Sequence, residues 1–191
     1  MAREEILAGP LELWVAPRGE TFPGPSTAPT GDWELIGKSG TENYEDDGVT
    51  VSLPQSIEEF IGAGSTMALK AFRTEESIEI TVQVADMRLD TWQLALNDNN
   101  ITAAAGTREI SLYRGGDVHH FSLLARGQSP YEDDGEDVGQ FQIPACYMSS
   151  EPEVTHVKGE VHSLELTFRA VLPEGDEMDD FVLVYTDASA T

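Results

Sequence analysis

Four histidines (His119, His120, His156 and His162), one cysteine (Cys146) and thirty-five carboxylates are the groups with which this chain could do chemistry. Acyl transfer by a Ser-His-Asp arrangement needs an exposed serine in a strained turn, and no Gly-x-Ser-x-Gly occurs. All four histidines sit in or beside strand-like stretches, so they are read as structural. Nucleotide binding has no support, because there is no Walker A loop and Gly62-Ala63-Gly64 is flanked by apolar residues. Acidic clusters suggest calcium, yet the EF-hand grammar fails: the terminal Glu position after Gly48 is Pro54, and the first ligand position before Gly135 is Pro130. Irregular calcium sites built from 132–137 or 174–180 stay open beside the default of solvated acidic turns. No carboxylate pair is marked by apolar surroundings that would raise a pKa for glycoside hydrolysis. Cys146, alone between Ala145 and Tyr147, excludes an internal disulfide or a cysteine zinc site and is expected to be buried and inert. The residues therefore point away from an enzyme, and no cofactor or metal is expected.

Charge narrows the partners. Eleven Lys and Arg against thirty-five Asp and Glu leave a formal net charge of −24, which is hostile to any role that grips phosphate. No window approaches the ~20 apolar residues of a membrane span, and the first ten residues lack the apolar core of a signal peptide, so no membrane partner is expected. The length of 191 residues fits one domain, 1–191.

These groups would have to be carried by strands. Leu11, Leu13 and Val15 recur with a period of two, and residues 16–32 then form a Pro- and Gly-rich surface loop with Pro17, Pro23, Pro25 and Pro29. Residues 33–37 read as a short strand and 40–48 as an acidic, turn-rich segment. Val49, Val51 and Leu53 alternate with Thr50 and Ser52. Over 75–85, Ile78, Ile80, Val82 and Val84 form an apolar face, with Glu75, Ser77, Glu79, Thr81 and Gln83 on the polar one. Asp86 is placed to cap a helix running over about 86–97, stopped by Asn97-Asp98-Asn99-Asn100. Further strands are expected at 108–114, 118–126, 139–147, 160–172 and 181–185, with Gly115-Gly116-Asp117 turning the first pair into a hairpin. The sum is a mainly β chain, a β-sandwich or open barrel with one flanking helix.

Residues 54–74 do not fit that body. They carry Ile57, Phe60, Ile61, Met67, Leu69 and Phe72 around Gly62 and Gly64, too many apolar residues for a solvated connection. A long β-hairpin arm that finds its burial against another chain is expected, with Ile57, Phe60, Ile61, Met67 and Leu69 as anchors. Tyr-Glu-Asp-Asp-Gly occurs at 44–48 and again at 131–135, but the flanks do not align and chance is the simpler account.

The order Gly9-Pro10-Leu11-Glu12-Leu13-Trp14-Val15-Ala16-Pro17, a Pro-rich loop, Trp33-Glu34-Leu35-Ile36-Gly37, Gly48-Val49-Thr50-Val51-Ser52, Ser77-Ile78-Glu79-Ile80-Thr81-Val82 and Asp90-Thr91-Trp92-Gln93-Leu94-Ala95-Leu96 resembles the major tail tube proteins of long-tailed, non-contractile bacteriophages. The resemblance covers residues 9–97, half the chain, as a spaced pattern without a catalytic motif. It implies a virion structural protein, made in the host cytoplasm, whose hexameric rings stack into a tube that conducts double-stranded DNA without binding it specifically. Its partners would be itself and other tail proteins (tape measure, terminator and distal tail). The polar face of 75–83 is then a candidate lumen lining, with Ser163, Glu165, Thr167 and Arg169 as the second. Two other readings are a ring of similar fold, such as a tail terminator or secretion-type tube, and a monomeric binding module using Trp14, Trp33 or Tyr131 as a platform.

Overall fold

A computed structural model describes residues 9–131, 138–172, 175 and 180–186. Along the chain run β1 (Glu12–Pro17), β2 (Glu34–Leu35), a 3-10 turn (Gly40–Asn43), β3 (Tyr44–Ser52), β4 (Gln55–Phe60), β5 (Lys70–Glu76) and β6 (Glu79–Val84). Then follow α1 (Leu89–Ala95), β7 (Ile101–Ala104), β8 (Thr107–Ile110), β9 (Phe121–Gln128), β10 (Val138–Met148), β11 (Leu164–Ala170) and β12 (Val182–Tyr185). The chain is mainly β and antiparallel, with one α-helix among the described residues, as its period-two alternation predicts.

One sheet runs in the order β2-β1-β9-β10-β11-β6-β3, with β12 added to β10, while β4-β5 and β7-β8 are separate hairpins. The sheet curls. Leu13 and Val15 of β1 share a single core with Ile80, Val82 and Val84 of β6, although three strands lie between them in the sheet. Leu164, Leu166 and Phe168 of β11 complete that core at 1% exposure or less. Each such side chain contributes roughly 1.5–3 kcal/mol by leaving water. Near the open seam, the Tyr44 hydroxyl at the start of β3 donates to the Ile36 carbonyl (2.8 Å) and accepts from the Leu13 N–H (3.2 Å). Burial of this phenol pushes its pKa up to about 12. One side chain thus ties β3 to β1 and to the residue after β2, giving an open barrel.

β1 is covered on both faces, since Trp14 and Ala16 pack with Phe22, Trp33 and Leu124 on the side away from the core. In the central ladder Gly127 stands opposite Gly139. A Cβ at Gly139 would lie 2.5 Å from the Tyr185 ring, and one at Gly127 would lie 2.6 Å from the Leu11 side chain, so the bare backbone is what lets both residues settle there.

Several expectations need correction. The helix is shorter than 86–97 because the Asp86 carboxylate accepts the Lys38 and Arg88 N–H groups and makes no helix cap. The stop is as read: Asn97 and Asp98 adopt φ of 63° and 59°. Glu45, Asp46 and Asp47 lie within β3, where a register shift between Tyr44 and Val49 absorbs them, so 40–48 is no simple turn. The strand expected over 75–85 is two strands: β5 ends at Glu76, β6 starts at Glu79, and the Ser77 N–H bonds the Pro54 carbonyl. Gly115-Gly116-Asp117 joins no hairpin; β8 pairs instead with β7, a strand the alternation missed. The acidic stretch 132–137 and, apart from Gly175 and Asp180, the stretch 174–180 lie outside the described residues, as does the second Tyr-Glu-Asp-Asp-Gly after Tyr131.

Candidate assembly surfaces

The two strands singled out for their polar faces are neighbours. β6 pairs with β11 in a register that sets Gln83 opposite Glu165, Thr81 opposite Thr167, and Glu79 opposite Arg169. Directly opposed residues of an antiparallel pair share a face. The threonine hydroxyls meet at 3.0 Å, the Ser163 hydroxyl donates to Gln83 Oε1 at 3.4 Å, and Arg169 Nε lies 3.5 Å from Glu79 Oε1. Arg169 also donates to the Ser77 hydroxyl at 3.2 Å, which brings Ser77 into the group. Glu75 is excluded, because it belongs to β5 and stands opposite Ser56.

Sequence reasoning missed part of this ladder. Thr50 and Ser52 of β3 stand opposite Thr81 and Glu79, and Tyr147 of β10 opposite Arg169. The signal was present in the alternation of Thr50 and Ser52 with Val49 and Val51; only the pairing of β3 with β6 was needed to use it. Hydroxyls, an amide and carboxylates make up this face, and its cation is engaged by Glu79. Such a surface hydrogen-bonds water and, among the described residues of the ladder, offers phosphate a single half-exposed guanidinium whose Nε is held by Glu79 and Ser77.

The arm is the second surface. β4 and β5 pair with each other from Gln55 opposite Glu76 to Phe60 opposite Lys70, and with no other strand among the described residues. Ile57, Phe60, Ile61, Met67, Leu69 and Phe72 are between 47% and 77% exposed. Glu58 stands opposite Phe72 and Phe60 opposite Lys70, so Phe60 and Phe72 share a face with Glu58, and Ile57 lies on the other. Lys70 sits over the Phe72 ring at 4.8 Å, and Arg73 is engaged by Glu76 and Gln55. Gly62 and Gly64 have ordinary negative-φ backbone; Gly62 matters for closeness, since a Cβ there would meet Leu69 at 3.0 Å. The tip is folded by its own bonds, Ser65 N–H to Gly62 carbonyl and Leu69 N–H to Phe60 carbonyl. An isolated two-stranded hairpin is marginal in water.

Residues 18–32 behave differently. The Arg126 guanidinium donates to the carbonyls of Thr27 (2.8 Å) and Gly24 (3.1 Å) and to Gln140 Oε1, while the fully buried Gln140 amide donates to the Pro23 carbonyl. Burial lowers the Arg126 pKa. The Trp33 indole donates to Thr21, and its ring lies 5.2 Å from Phe22. Trp33 is buried at 5% exposure, which removes it as a binding platform.

Cys146 is free and fully buried, and burial pushes its thiol pKa upward. His119 lies 3.5 Å from Asp98, and His156 meets His162 edge-on, with ring centroids 4.5 Å apart. No group of three or more potential metal ligands occurs among the described residues, and no described helix is long and apolar enough to cross a membrane.

The chain matches no protein-family model and no curated protein. Among solved structures it is similar to a chain in the tail of an empty GTA particle, computed with helical refinement and C6 symmetry. That similarity covers 97% of this chain and 98% of the other, with 12% identity and a TM-score of 0.42.

Proposed function

We propose that this chain is a structural virion protein that self-assembles into stacked hexameric rings, forming the tail tube of a non-contractile phage and an acidic conduit for double-stranded DNA. The observation that carries the reading is the arm: six large, exposed apolar side chains on a hairpin with no other strand partner among the described residues. Exposed apolar surface of this kind belongs against another chain. The spaced pattern over 9–97 supports the choice of family.

Within this reading the ladder of Ser77, Glu79, Thr81, Gln83, Ser163, Glu165, Thr167 and Arg169 lines the lumen, joined by Thr50 and Ser52. A wall whose one cation in this ladder is paired with a carboxylate releases few phosphate counterions and leaves DNA mobile. The Debye length of ~10 Å at 0.1 M salt confines the repulsion to the wall. Ring partners carrying −24 each repel, so moderate salt promotes assembly.

Negative-stain electron microscopy of the concentrated protein across a salt series tests the proposal. Rings or hollow tubes of uniform width are expected, more abundant at moderate than at low salt. Persistent monomers at every salt concentration would overturn it. Glu79→Lys with Glu165→Lys should leave tubes that assemble yet deliver DNA poorly; normal infectivity of particles carrying both changes would remove this face from the lumen.

A further inference from the structure

A second apolar surface lies far along the chain from the arm, on the loop between β8 and β9. Leu112 and Tyr113 are 75% and 78% exposed, and Val118 is 57% exposed. The loop is not slack. Asn97 Nδ2 donates to the carbonyls of Arg114 (2.8 Å) and Asp117 (2.7 Å), and Asn97 Oδ1 accepts the His119 N–H at 2.6 Å. Asn99 Nδ2 donates to the carbonyls of Ser111 (2.7 Å) and Tyr113 (2.9 Å). Two asparagine side chains thus hold the loop through five hydrogen bonds. A loop fixed before contact loses little further entropy when it binds.

Its charge is also unlike the rest of the chain. Residues 88–120 hold Arg88, Arg108 and Arg114 against Asp90, Asp98, Glu109 and Asp117, near neutral in a chain of net charge −24. Arg88 and Arg108 share one carboxylate, Asp90, and Arg114 has no ion pair among the described residues. The arm shows the complement: Glu58, beside Phe60 and Phe72, has no cationic partner among the described residues, whereas Lys70 and Arg73 are engaged within the hairpin.

We infer that the arm of one copy docks on the 111–118 loop of a second copy, Phe60 and Phe72 packing on Leu112 and Tyr113 with Glu58 facing Arg114. This deepens the assembly reading above and rests on it. Two different surfaces meeting head to tail form a heterologous contact, the kind that closes into rings or runs on as a filament.

The test uses the full chain under conditions in which the wild type forms tubes. Leu112→Ser with Tyr113→Ser should leave a monomer with unchanged thermal unfolding and assembly reduced about tenfold or more in a pelleting assay. Arg114→Glu should lower assembly about tenfold at low salt by placing two carboxylates together, and Glu58→Arg added to it should restore assembly to near wild type. Phe60→Cys mixed with Tyr113→Cys should give disulfide-linked dimers of one chain of each kind. If the wild type and the loop variants form tubes equally while Phe60→Ser does not, assembly stands and this docking is overturned. Loss in Arg114→Glu without rescue by Glu58→Arg and without cross-linking also overturns it. A wild type that never assembles overturns the reading beneath.

Discussion

Residues 18–32 and 54–74 are both long excursions between strands, yet the first lies down on its own sheet and the second pairs only within itself. Their compositions suggest the opposite, since the Pro- and Gly-rich segment has few apolar side chains and the arm has six large ones. The difference lies beneath them. Under 18–32 the sheet presents a buried donor, Gln140, and the half-buried Arg126, which find acceptors in the carbonyls of Pro23, Gly24 and Thr27. A buried donor left unpaired costs about 1–3 kcal/mol, so it holds a loop as firmly as a small apolar cluster does. The arm has apolar groups in abundance and no such receiver among the described residues: the groove at its root, about 470 Å³, is lined by Leu53, Pro54, Ile78, Leu172 and Phe181 together with Gln55, Arg73 and Glu76 of the arm, and by none of the arm's six large apolar side chains. Apolarity makes a segment seek burial; only complementary groups on its own body fold it back.

The contrast can be broken by substitution, read first as loss of folding stability in chemical denaturation. Trp33→Ala should have the largest effect, about 3–5 kcal/mol, because it empties the buried site between the loop and β1. Arg126→Ala should cost about 2 kcal/mol and leave residues 18–32 sensitive to limited proteolysis, since Gln140 Oε1 and two loop carbonyls lose their donor. Tyr44→Phe should cost about 1 kcal/mol at neutral pH by leaving the Leu13 N–H without its acceptor. The pH dependence has a definite sign: the phenol's folded pKa, about 12, lies above its unfolded value of 10. Its contribution is therefore complete below pH 10 and lost as pH rises towards 12, a slope that Tyr44→Phe should remove. Phe60→Ser with Leu69→Ser should have the smallest effect on the monomer, within about 0.5 kcal/mol, while abolishing assembly. A loss as large as that of Trp33→Ala would mean that the arm packs on its own body, and the contrast would vanish.

Much of this was readable from periodicity. The alternation of Ile80, Val82 and Val84, and of Leu164, Leu166 and Phe168, identifies core strands because one face of each is dry and the other wet. The asparagine run marks the helix end because Asn tolerates positive φ. Other features left no trace of that kind. The break at Ser77 and Ile78 preserves the period of two, so a bond to the distant Pro54 carbonyl is invisible in the pattern. The β7-β8 hairpin turns at Ala105 and Gly106, where Ala105 takes φ of 48°, a residue type that rarely announces a turn. Gly115 does have positive φ, as a turn glycine should, but its loop is organised by Asn97, eighteen residues earlier. The adjacency of the polar faces of β6 and β11 needed strand order, which spacing does not carry.

The glycine pair at the centre of the sheet has a consequence for connectivity. Leu11 seats on Gly127 and Tyr185 on Gly139, and these glycines face each other across one rung of the β9-β10 ladder. The residue before the first strand and the last residue of the final described strand therefore rest on facing glycines of two adjacent strands. A circular permutant joined there by a short flexible linker and opened at Gly64 would keep every core rung while splitting the arm into two free-ended strands. The covalent loop of the hairpin could then be separated from its apolar surface, two properties that no point substitution can pull apart.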